Sequence, residues 1–194
     1  MALRRGFKAD AKRSATELRG ELGLTSTAPL EPLRLADHLD VPVLRLSDMK
    51  GEVPRAYSYF TGRGKSAFSA LTVFDGPRRL VVFNDSHVDG RQASSICHEL
   101  AHAILFHEPN PALNEWGCRV WDKDIEDEAD WLSGAILVTE EAALFALRQS
   151  WDHTTAARAY GVSVTMMRYR TNVSGAATRF ARANTRAAIR GKPA

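Results

Sequence analysis

The segment Ile96-Cys97-His98-Glu99-Leu100-Ala101-His102-Ala103-Ile104-Leu105 sets two imidazoles four residues apart, with a carboxylate beside the first, inside an apolar-periodic stretch. That periodicity demands a helix. Ile96, Leu100, Ala103, Ile104 and Leu105 form one stripe, and no proline falls between Asp89 and His107. Asp89 followed by Gln92 reads as a capping box at its start, and Pro109 as its stop. Any fold built around this helix must bury one side of it and leave His98 and His102 within reach of a ligand.

Helical residues four apart lie on one face, about 5 to 6 Å from each other, so both imidazoles can reach one metal ion. Glu99 then stands beside the ion's open side. The pattern H-E-x-x-H suits peptide hydrolysis: zinc lowers the pKa of a bound water from about 15.7 to about 7, and a nearby carboxylate can take its proton. His98 and His102 are therefore expected to hold Zn²⁺, one per chain, with Glu99 as general base. Mn²⁺ also suits such a nitrogen and oxygen donor set.

A hydrolytic zinc needs a third protein ligand. Asp124 reads as the N-cap of a helix over residues 125–137, with Ala129, Leu132 and Ile136 on its buried side and Glu126 and Asp130 one turn apart. This E-x-x-x-D helix resembles that of zincins whose third ligand is a glutamate, in which the aspartate orients a ligating histidine. The resemblance assigns Glu126 to the metal and Asp130 to the support of a histidine, with Glu128 as the fallback ligand. A third histidine just beyond His102, as in metzincins, is excluded, because Leu105 and Glu108 stand there.

Taken in order, these pieces resemble the ImmA/IrrE-type metallo-endopeptidases. The resemblance rests on a helical stretch ending in Leu35-Ala36-Asp37-His38-Leu39-Asp40-Val41-Pro42-Val43, on the strand Leu80-Val81-Val82-Phe83-Asn84, and on His98-Glu99-Leu100-Ala101-His102. It continues through Glu126-Asp127-Glu128-Ala129-Asp130 and Ala157-Arg158-Ala159-Tyr160-Gly161-Val162-Ser163, spanning roughly residues 10–175. It implies an α+β zincin-like domain: a small, mostly antiparallel sheet, the active-site helix, and a helical C-terminal part. It also implies a bacterial enzyme that cleaves a helix-turn-helix transcriptional repressor, in mobile-element induction or stress response. Substrate would lie extended along a sheet edge. Where the family usually reads Leu-Leu-Met-Pro, this chain has Ile136-Leu137-Val138-Thr139, and its length leaves no room for the C-terminal sensory domain that some members carry.

With 194 residues and 44% hydrophobic composition, the chain can bury a core as one domain, expected over residues 1–175, followed by a basic tail over 176–194. No apolar run approaches a membrane span and the N-terminus lacks a signal-peptide core, so a cytoplasmic location is expected. Cys97 and Cys118 make no disulfide framework and read as buried small residues.

Further helices are expected over about Phe7–Leu22, with Ala11, Ala15, Leu18 and Leu22 inward, and over about Glu31–Leu39. Extended stretches are expected at Val43–Leu46, Ala56–Phe60, Ala67–Phe74 and Leu80–Asn84, with Gly76-Pro77 turning before the last. The loop Glu108–Lys123 carries Trp116 and Trp121 as packing or lid residues. Residues 154–173 read as two short helices joined at Tyr160-Gly161-Val162-Ser163, like half of a helix-turn-helix. Val162, Val164, Met166 and Met167 offer little to read base edges, so a hairpin packed on the peptidase domain is the favoured reading.

The tail holds Arg179, Arg182, Arg186, Arg190 and Lys192 and no acid, its arginines spaced to share a helical face that could meet nucleic acid or an acidic partner. A solvated end is the plainer alternative. Candidates to stabilise the oxyanion are His38, His87, His107, His153, Tyr57, Tyr59, Tyr160, Tyr169 and Arg170. His107 itself reads as a helix-end residue favoured by the dipole. Two competing functions stay open: a non-catalytic zinc-containing regulator that sequesters a repressor or DNA, and a broad intracellular peptidase.

Overall fold

The computed structural model describes residues 3–76, 78–107 and 122–190. Pro77, the segment with Pro109, Trp116, Cys118 and Trp121, and Lys192 lie outside these residues, as does the side chain of Arg190.

Helix α1 (Phe7–Glu21) buries Phe7, Ala11, Ala15 and Leu18, the expected face, and ends on buried Leu22. Between these apolar residues it also buries Arg19, at 2% exposure. A charge can lie there because the guanidinium donates to the carbonyls of Ile136, at 2.7 Å, and of Thr25 and Ala28. Helix α2 (Pro32–His38) starts with proline in its first turn, where the missing N–H costs nothing.

Strands β1 (Val43–Arg45), β2 (Ala70–Asp75) and β3 (Arg78–Phe83) form a sheet in the order β1-β3-β2. The β2/β3 ladder is antiparallel over six pairs, from Ala70 opposite Phe83 to Asp75 opposite Arg78, and β1 adds a short parallel ladder. Antiparallel pairing thus predominates, as expected.

Residues 56–60, expected as a strand, instead belong to helix α3 (Pro54–Thr61). The aromatic content misleads; the spacing does not. Val53, Ala56, Tyr57 and Phe60 are the half-buried positions, at helical intervals of three and four. Buried Asn84 fixes α3 against the sheet by donating from Nδ2 to the carbonyls of Phe60, at 2.9 Å, and Phe68, at 3.2 Å.

Helix α4 (Asp89–Ile104) buries Ile96, Cys97, Leu100 and Ala101 against helix α5 (Lys123–Leu137). The expected capping box does not form: Val88 occupies the N-cap, Asp89 is already helical, and Gln92 donates to the carbonyls of Asp85 and His87. The N-cap of α5 is likewise Asp122 rather than Asp124, its carboxylate accepting from the amides of Asp124 and Ile125. Both ends of α5 differ in character, the start amphipathic and everything from Trp131 onward buried.

Helices α6 (Glu140–Arg148), α7 (His153–Tyr160), α8 (Val164–Val173) and α9 (Ala176–Arg190) complete the described chain. Gly161 ends α7 at φ 65° and Ser163 caps α8, as the sequence suggests. The α7–α8 hairpin buries Tyr160, Val162 and Met167 in the common core. Gly90 of α4 abuts its turn: a Cβ there would lie 2.5 Å from the backbone of Val162. That close approach seats the hairpin on the start of α4.

Candidate metal centre

Helix α4 points His98 and His102 away from its buried stripe, toward the first turn of α5. There Glu126 meets them. His98 Nε2 lies 3.0 Å from His102 Nε2 and 3.1 Å from Glu126 Oε2, and His102 Nε2 lies 3.8 Å from Glu126 Oε2. A tetrahedral ion bound at about 2.0 to 2.1 Å needs ligand atoms about 3.3 Å apart, which this triangle averages. The three residues are the group among the described residues able to hold a metal. Their side chains stay about one-fifth exposed, so the open side of the cluster faces solvent.

Each histidine is oriented through its other ring nitrogen. His98 Nδ1 donates to Asp130 Oδ1 at 2.9 Å, leaving Nε2 for an ion. His102 Nδ1 lies 2.9 Å from His107 Nδ1, and His107 Nε2 faces Glu128 Oε2 at 3.7 Å. One tautomer set suits this chain of contacts: His102 Nδ1–H donates to His107 Nδ1, and His107 Nε2–H faces Glu128. Burial and the neighbouring His102 ring push the His107 pKa down, which keeps that ring neutral.

His107 therefore does more than meet the helix dipole. It reaches His102 because the chain folds back at the end of α4. Phe106 is left-handed at φ 53°, and the His107 amide donates to the His102 carbonyl at 3.0 Å while that of Phe106 donates to Ala103. This is a Schellman ending with phenylalanine where glycine is usual. The conformation costs about 1 to 2 kcal/mol for an L-residue. Glu128, the fallback ligand, points elsewhere, its Oε1 lying 3.1 Å from Arg4 Nε.

The electrostatics call for a cation. Burial alone would lower the His98 pKa, but its bonds to Asp130 and Glu126 raise it to about 10. Burial would raise the Glu126 carboxyl, yet His102 and His98 hold it well below the usual carboxylate range. Without a metal, a proton on His98 supplies the positive charge that binds these lone pairs together; a divalent ion would replace it.

Glu99 sits on the adjoining face of α4. Thr72 Oγ1, from β2, donates to its Oε2 at 2.6 Å. The sequence points to Glu99 but not to Thr72, whose only signal is one polar residue amid Leu71, Val73 and Phe74. By strand order β2 lies at the edge of the described sheet, and Leu71, Val73 and Phe74 are exposed along it.

Cys97 is fully buried, its thiol contacting the Ser133 carbonyl at 3.6 Å and its pKa pushed up to about 12 by desolvation. It is a buried core residue, as expected for a small side chain outside any disulfide framework. Of the oxyanion candidates, His87 contacts the Phe68 carbonyl at 3.0 Å, His38 contacts Glu21 at 2.8 Å, Tyr160 donates to Ala142 at 3.2 Å and Arg170 donates to Val138 at 2.9 Å.

Among known proteins, the family model described as the IrrE N-terminal-like domain (Peptidase_M78) matches residues 36–172. No curated protein and no solved structure matches.

Proposed function

This chain belongs to the IrrE N-terminal-like peptidase family, and from that premise we propose that it is a zinc-dependent endopeptidase that cuts a regulatory protein. The observation that carries the reading is the convergence of His98 Nε2, His102 Nε2 and Glu126 Oε2 beside a carboxylate anchored by the edge strand. His98, His102 and Glu126 would hold Zn²⁺, with Asp130 and His107 fixing the two rings. The metal, when bound, polarises the scissile carbonyl and makes a water nucleophilic at neutral pH.

The remaining work falls to the chain. Thr72 holds Glu99 Oε2, which leaves Oε1 to take the proton of the attacking water and pass it to the leaving amine nitrogen. The backbone edge that β2 leaves unpaired within the described sheet, tied to Glu99 through Thr72, lets an extended peptide pair as an added strand. Leu71, Val73 and Phe74 then offer it apolar contact.

A helix-turn-helix repressor is the proposed substrate, on the resemblance drawn from the sequence. Helix α9 adds to it: Arg179 is engaged with Glu140 at 2.5 Å, while Arg182 and Arg186 are exposed and available to an acidic partner or DNA. No helix among the described residues is long and apolar enough to cross a membrane, and we propose a cytoplasmic site of action.

The test compares new protein N-termini in host cells expressing wild type or Glu99→Gln. A single dominant cut in a DNA-binding protein, present only with wild type, is expected. Many cuts would indicate a broad peptidase. Regulation of target genes by Glu99→Gln, with no cut from either form, would indicate a sequestering protein and sink the proposal.

A further inference from the structure

Between α1, α5, the start of α6 and the end of α8 lies a cavity of about 240 Å³, walled in part by Lys8, Lys12, Trp131, Glu140 and Arg170. It shares no residue with the metal cluster. Arg170 is 4% exposed, and its Nη1 is buried with no hydrogen-bond partner. Its Nε donates to the Val138 carbonyl, which satisfies the end of α5 but leaves Nη1 unanswered.

Arg19 shows how this core treats a guanidinium whose role is structural. Its nitrogens reach the carbonyls of Ile136, Thr25 and Ala28. Arg170 has no such cage. The acids that wall the cavity are already engaged, Glu140 by Lys12 at 2.9 Å and by Arg179, and Glu141 by Lys12 at 3.4 Å. Lys8 Nζ instead lies 4.3 Å over the Trp131 ring, and the Arg170 guanidinium lies 5.5 Å from the same ring. Two cations thus flank one indole, and neither has an ion-pair partner among the described residues. Burial lowers the Arg170 pKa to about 10, which still leaves it charged at neutral pH.

We propose that this cavity binds a small organic anion, its carboxylate or phosphate held by Arg170 and Lys8 and its apolar body resting against Trp131 and the small side chains of Ala9, Ala15 and Ala135. An unpaired buried charge is costly, and a bound anion removes that cost. The volume lies below that of drug-sized pockets and suits a single-ring compound. The site stands whether or not the chain cleaves peptides.

Calorimetric titration with benzoate and with phenyl phosphate tests it, with neutral benzamide and inorganic phosphate as controls. Saturable binding of an aromatic anion is expected, with no heat from benzamide. Lys8→Met alters an exposed side chain and keeps the fold, so it carries the test if Arg170→Met fails to fold. Each substitution should weaken binding by about tenfold or more. Silence from both aromatic anions at millimolar concentration, or unchanged binding by Lys8→Met, would overturn the proposal. Inorganic phosphate binding as tightly as phenyl phosphate would overturn its organic part.

Discussion

Replacing Thr72 by valine removes one hydroxyl from the edge strand and little else, since the two side chains are nearly the same shape. The hydroxyl donates to Glu99 Oε2 at 2.6 Å, a short bond to an ionised acceptor. Hydrogen bonds to charged groups contribute about 1.5 to 3 kcal/mol, and the low end applies because Thr72 is only half buried. The loss falls on the placement of Glu99, so kcat should drop about tenfold or somewhat more, since 1.4 kcal/mol is a factor of ten. KM and bound zinc should stay unchanged, because Thr72 touches no proposed ligand. A quenched-fluorescence peptide spanning the cleavage site gives kcat and KM, and atomic spectroscopy gives zinc per chain. Thr72→Ser should recover most of the rate. A Thr72→Val enzyme with full kcat, or one whose rate falls only in step with lost zinc, would refute the role.

Three further outcomes follow from the geometry. His107→Ala removes the group that fixes His102 Nδ1 and should weaken zinc affinity about 10- to 100-fold, read by competition with a chelator, while the helical circular dichroism persists. Gly90→Ala places a methyl against the Val162 backbone and should destabilise the fold by about 1 to 3 kcal/mol in urea, without changing zinc stoichiometry. In the metal-free protein the raised His98 pKa stabilises the folded state fully below pH 6.5 and loses that stabilisation as pH rises toward 10. The depressed Glu126 pKa acts oppositely, its stabilisation present above about pH 4.5 and lost on acidification. The Tm of the metal-free form should therefore fall between pH 7 and 10, whereas the zinc form, in which the ion takes the place of the His98 Nε2 proton, should not share that fall.

How far the sequence reveals this site depends on whether each contact is local. His98 and His102 share a face by helical spacing alone, and Glu126 and Asp130 do so on α5, so periodicity brings both pairs into view. Thr72 meets Glu99 only through the register of β2 and its packing on α4, which no local pattern records. His107 is hidden differently. Its contact depends on a left-handed Phe106, a conformation that chain statistics assign to glycine, so the residue reads as a plain helix end. In α3, strand-like aromatics mask a helical spacing, and at the starts of α4 and α5 the caps fall one or two residues from where side-chain chemistry alone would place them. The burial of Arg19 and Arg170 is not legible in the sequence, because charged residues on amphipathic helices are ordinarily exposed and only packing shows otherwise.

The most direct test of the proposed chemistry is to measure zinc content and substrate cleavage together on purified wild type and Glu99→Gln. One zinc per chain in both forms, with cleavage by the wild type alone, is the expected result, because Glu99 moves protons and does not hold the metal. Cleavage that survives in Glu99→Gln, or zinc that leaves with the carboxylate, would contradict it.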